Sequence, residues 1–135
     1  MEPEVLLDTD ILSALLRPHP NAMTRAQDYI LEHVQLNISI ITRFEVLRGL
    51  KTRDARSQLR TFEDFCTKHN VLELSDEIVV RASDIYADLS RRGELIDDLD
   101  VLIAATALVY GMTIATNNER HFSRISGLRI DNWLK

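Results

Sequence analysis

Val5-Leu6-Leu7 is an uninterrupted apolar run closed by Asp8, the pattern of a short strand buried on both faces. From Thr9 the period lengthens. Ile11, Leu12, Leu15 and Leu16 share one face of a predicted helix that stops before Pro18 and Pro20. A second helix is predicted from about Ala22 to His33, with Met23, Ala26, Ile30 and Val34 on one side. Leu36 to Ile40 reads as the next strand, Thr42 opens a helix carrying Glu45, and a further helix spans roughly Ala55 to His69. Val71 to Leu74 fits strand or loop. Ser75 caps a helix running to Arg92, on which Ile78, Ala82, Ile85 and Leu89 recur at helical intervals. From Asp98 or Leu99 to Tyr110 the chain is apolar almost all round, which predicts a central buried helix. Met112 to Ala115 is a strand, and Leu128 to Ile130 adds one more. Strands alternating with helices require crossover connections and a parallel sheet, so the fold class is α/β.

The 135 residues fit one domain, 1–135, and 45% hydrophobic with 27% charged is a balance that builds a core and excludes disorder. A single cysteine, Cys66, excludes an internal disulfide and a multi-cysteine zinc site, and suggests a reducing compartment. The opening MEPEVLLDTD lacks the basic and long apolar regions of a signal peptide, and Val101 to Asn118 is too interrupted for a membrane span. The expectation is a cytoplasmic protein with no membrane contact. A net charge of −5 counts against nucleic-acid binding unless bound cations or local arginines offset it.

Three acids occupy equivalent places: Asp8 after a strand, Glu45 in the first turn of a helix, and Asp100 in the first turn of the buried helix. In an open parallel sheet these places gather at one edge, where ligands bind. Crowded carboxylates repel one another, and a hard cation such as Mg²⁺ or Mn²⁺ relieves that. Each acid also has an ordinary reading. Asp8 would cap the following helix, Thr42-Arg43-Phe44-Glu45 matches a capping box, and Asp97, Asp98 and Asp100 would favour a helix N-terminus.

Four segments in order resemble the PIN-domain family, and specifically its VapC-type toxins. They are Leu6-Leu7-Asp8-Thr9-Asp10-Ile11-Leu12, Ser39 to Gly49 with Thr42 and Glu45, Ile96 to Ala105 with Asp100, and Thr116 to Phe122 with Asn118. Ile125, Gly127, Leu128 and Trp133 follow as in the family's tail. The resemblance implies a single PIN-like domain with a central parallel β-sheet flanked by α-helices. It implies a metal-binding triad of Asp8, Glu45 and Asp100, with Asn118 as a fourth catalytic position and Thr9 and Thr116 orienting water or ligands. Mg²⁺, or Mn²⁺ in its place, would activate water to hydrolyse an RNA phosphodiester, tRNA among the substrates. Arg43 and Arg48, with Lys51 and Arg53, are candidates for contacts to the RNA backbone. The implied partners are a VapB-like antitoxin, whose arginine would engage the acids, and a second copy in a homodimer. Asp97 stands where the family usually has glycine, Thr106 where many members have histidine, and Glu119 is an extra nearby acid.

Two other readings compete. Asp8-Thr9-Asp10 after a strand is also the D-x-D of haloacid-dehalogenase-like Mg²⁺ phosphatases, but the glycine-rich continuation and a suitably placed lysine are missing. A non-catalytic PIN-like binding module is the other, and the intact acids argue against it. His19, His33, His69 and His121 show no metal-ligand spacing and read as surface positions. Cys66 reads as half-buried, Trp133 as an anchor for the tail, and Arg91-Arg92-Gly93 as a helix end.

Overall fold

The computed structural model describes residues 3–135, so the first two residues of the opening segment lie outside the description. Among the described residues the strands are β1 (Val5–Leu7), β2 (Asn37–Ser39), β3 (Asn70–Leu72), β4 (Thr113–Ala115) and β5 (Ile130–Asp131). They lie in the order β3-β2-β1-β4-β5 and every neighbouring pair is parallel. Parallel neighbours cannot be joined by a hairpin, so each link crosses over through helices. α1 (Thr9–Leu16) and α2 (Pro20–His33) join β1 to β2, and α3 (Ile40–Thr52) and α4 (Arg56–Lys68) join β2 to β3. α5 (Asp76–Arg91) and α6 (Asp98–Tyr110) lead to β4, and the short α7 (Glu119–Phe122) precedes β5. No described helix is long and apolar enough to cross a membrane.

Alternation along β1 divides the core in two. Leu6 packs with Ile78, Leu89, Ile103 and Phe122 on the α5–α6 side. Val5 and Leu7 pack with Ile11, Leu12, Tyr29, Phe62 and Trp133 on the other. α6 is sealed on most sides and ends at Gly111, whose φ of 68° turns the chain directly into β4.

Several expected boundaries move, each for a local reason. Pro20 does not stop a segment but opens α2, where its missing N–H costs nothing, and His19 caps it. The Ser39 hydroxyl accepts the Thr42 N–H at 3.0 Å, so α3 begins at Ile40 and the expected strand Leu36–Ile40 shortens to Asn37–Ser39. Glu45 therefore lies in the second turn of α3, out of any capping box. The ambiguous stretch at Val71 resolves into β3 followed by loop, and α7 has no apolar repeat to announce it.

Candidate active site

The register of the sheet builds the site. β1 and β4 pair with Leu7 beside Ala115, so the next residues, Asp8 and Thr116, emerge side by side at the carboxyl ends of the strands. The Thr116 hydroxyl donates to Asp8 Oδ2 at 2.8 Å, and Asp8 Oδ1 accepts the Thr9 N–H at 2.8 Å. Asp8 does cap α1, but with one oxygen only, and it is 5% exposed. From α1, the Thr9 hydroxyl donates to Glu45 Oε1 at 2.8 Å and lies 3.0 Å from Thr42 Oγ1, tying α1 to α3. Asp100, in the first turn of α6, feels the charges of Asp97, Glu45 and Asp10. Asn118 joins through its N–H, which donates to Thr116 Oγ1 at 2.9 Å, while its carboxamide nitrogen lies 3.0 Å from His121 Nδ1.

Asp10, the second acid of the D-x-D, belongs to the same cluster. Its Oδ2 accepts the Asn117 N–H at 3.0 Å, and its Oδ1 is buried with no donor. The signal available was two acids at a strand-to-helix junction, close enough in sequence to share one sheet edge.

Burial, first, and then the charge of Asp10 push the Asp8 carboxyl up to about 8, against the pull of the Thr116 and Thr9 hydrogen bonds. Burial, then Asp97, Glu45 and Asp10, push Asp100 up to about 6. Burial also raises Asp10. Arg48 reaches Glu45 Oε2 only at 3.7 Å and lies over the Phe44 ring. Arg43 is turned to α4, donating to Glu63 at 2.6 Å and lying over Phe62.

Among the described residues no three His, Cys, Asp or Glu side chains stand ready-made around one metal position. The donor set nonetheless suits a hard cation: carboxyl oxygens from three separate elements, strained by burial and like charge, with Asp10 Oδ1 lacking any donor. Beside it a cavity of about 160 Å³ is lined by Thr9, Ser13, Arg17, Glu45 and Arg53. A second, of about 530 Å³, is lined by Asp10, Arg17, His19, Asn117 and Leu134.

Residues around the cluster take structural parts. Asp97 caps α6, and the Thr106 hydroxyl donates to the Leu102 carbonyl at 2.8 Å. Glu119 accepts from Asn132 and pairs with Lys135. His69 Nδ1 accepts the Leu36 N–H at 3.0 Å, and burial pushes the Cys66 thiol up.

The sequence profile of the PIN domain matches residues 5–128. Ribonuclease VapC1 of Methanocaldococcus jannaschii is 37% identical over 69% of this chain and 68% of its own length. The tRNA(fMet)-specific endonuclease VapC of Salmonella typhimurium is 31% identical over 95% of this chain and 96% of its own. Among solved structures, DNA-bound VapBC from Salmonella typhimurium superposes with a TM-score of 0.85 at 28% identity, covering 98% of this chain and 99% of that one.

Proposed function

The chain belongs to the PIN-domain family, in its VapC branch, and on that premise we propose that it is the endoribonuclease toxin of a VapBC-like pair, dependent on Mg²⁺ or Mn²⁺. The observation that carries this reading is the gathering of Asp8, Glu45 and Asp100 from the end of β1, α3 and α6 at one sheet edge, with two of the carboxyls raised by burial and by one another's charge. Asp8, Glu45 and Asp100 would hold the metal, and when bound it supplies Lewis acidity at the scissile phosphate and a water of lowered pKa.

The chain's own groups do the aiming. Thr116 and the Thr9 N–H fix the two oxygens of Asp8, and the Thr9 hydroxyl fixes Glu45. Asn118 offers a neutral carboxamide at the fourth position, so it can orient RNA without adding charge. Arg48 stands beside Glu45, where it would meet an incoming phosphate, whereas Arg43 would have to release Glu63 before touching RNA. The Salmonella relative's name makes tRNA the first substrate to try. The partner is a VapB-like antitoxin that sets an arginine against the acids. A homodimer would cover Val79, Val80 and Tyr86, exposed on α5. The site of action is the cytoplasm.

The test incubates purified, antitoxin-free protein with tRNA and total RNA in Mg²⁺ or Mn²⁺, beside Asp8→Ala and an EDTA control. Discrete products made by the wild type alone, and lost with EDTA, support the reading. Products made equally by Asp8→Ala, or made in EDTA, refute it.

A further inference from the structure

Asn132 follows β5 and is 7% exposed, and every hydrogen-bonding group of its carboxamide is in use. Nδ2 donates to Asn117 Oδ1 at 3.0 Å and to Glu119 Oε2 at 2.8 Å, and Oδ1 accepts the Leu134 N–H at 2.9 Å. That pattern fixes which way the amide faces: reversed, it would set an oxygen against the Glu119 carboxylate and a nitrogen against an N–H. Its own backbone is anchored independently. Trp133 is fully buried beside Tyr29 with Arg25 over its ring, and Asn21 donates to the Leu134 carbonyl at 2.9 Å. On the other side, the turn that Asn132 grips faces the acids. The Asn117 N–H donates to Asp10 Oδ2 and the Asn118 N–H to Thr116 Oγ1, whose hydroxyl holds Asp8.

We infer that Asn132 is a positioning residue for the acid cluster, clamping the Asn117–Glu119 turn so that the Asn117 N–H stays aimed at Asp10. It touches neither Asp8 nor Asp10. The ladder of β5 on β4 is made by backbone groups, so closing the sheet does not require this carboxamide. What the carboxamide adds is the fixed angle of an otherwise exposed turn. The metal and RNA readouts below rest on the proposed function, while the exchange readout does not.

The deciding variant is Asn132→Asp, nearly isosteric but without either donor and repelling Glu119. Hydrogen exchange followed by NMR should show the Asn117 amide exchanging about tenfold faster or more, with the Leu6 and Ile38 amides unchanged. Mn²⁺ affinity and kcat on an RNA oligonucleotide should fall about 3- to 10-fold, less than the 10- to 100-fold cost of losing a direct hydrogen-bond partner of a metal ligand, with KM unchanged. Adding Glu119→Gln restores a donor opposite the new carboxylate and should recover most of each loss. Wild-type Asn117 exchange and Mn²⁺ affinity in Asn132→Asp would overturn the inference. So would exchange rising equally at Leu6 and Ile38, or a double variant no better than the single one. A wild-type protein that neither binds Mn²⁺ nor cuts RNA sinks the proposed function instead, and Asn117 exchange then decides alone whether Asn132 sets this turn.

Discussion

At the amino end of β1, Asn37 Nδ2 donates to the Val5 carbonyl at 3.0 Å, its Oδ1 accepts from Asn70 at 2.9 Å, and the Tyr29 hydroxyl accepts the Val5 N–H at 3.1 Å. At the carboxyl end of the same strand, Asp8, Asp10, Glu45 and Asp100 crowd together with the same sign of charge, and one buried oxygen goes without a donor. Both groups are polar clusters gathered at the two ends of β1, the first reaching across β2 to β3 and the second to β4 and the flanking helices. The first is neutral and mutually satisfied, and it specifies strand register. The second works against the fold, persists because the surrounding fold holds it in place, and is where chemistry is to be sought.

The sharpest way to break the contrast is Asp8→Asn, which relieves the charge and removes a proposed metal ligand together. RNA cleavage should drop about a thousandfold, on the scale of losing a key charge-stabilising group, while the metal-free protein melts at a higher temperature at pH 8. Parallel cleavage assays and thermal melts check both halves.

Next comes pH. The carboxyls of Asp8 and Asp100, raised from 3.8 to about 8 and about 6, hold their protons more tightly folded than unfolded. Their contribution to stability is complete below about pH 4 and is lost as pH rises through 6 and then 8. Metal-free protein should lose on the order of 3 kcal/mol between pH 5 and pH 8, read from urea unfolding. Asp8→Asn should flatten that slope, and Mn²⁺ should raise stability more at pH 8 than at pH 5.

At the neutral end, Asn37→Ala takes its side-chain donor from the buried Val5 carbonyl, while the exposed Asn70 amide turns to water. It should cost about 1–3 kcal/mol in urea unfolding, with cleavage per folded molecule unchanged. The smallest effect belongs to Arg43→Ala, which removes a half-exposed pair with Glu63 and should cost under about 1 kcal/mol.

Much of this was legible in the sequence, and the misses share a cause. Val5–Leu7 and the all-round apolar α6 declare themselves because burial on every side leaves no polar interruption. The start of α3 was misjudged because Ser39 and Thr42 are both good caps, and only packing decides which is used. Asp8, Glu45 and Asp100 were legible as similar junctions of an alternating fold. Asp10 was legible only as the second acid of a D-x-D, and Asn132 not at all, since a tail residue after a short edge strand carries no pattern that points to the site. The bond from Asn132 to Asn117, likewise, belongs to no period.

The hydrogen bond from Thr116 to Asp8 closes a span of 108 residues, because β4 inserts beside a strand made near the beginning of the chain. A chain synthesised only through α6 already carries every acid of the cluster but not the strand that orients Asp8. Loop closure over such distances is slow compared with helix formation. In the order of synthesis the acids therefore precede the strand that aims one of them, and the Asp8–Thr116 pair forms only once β4 has joined the sheet.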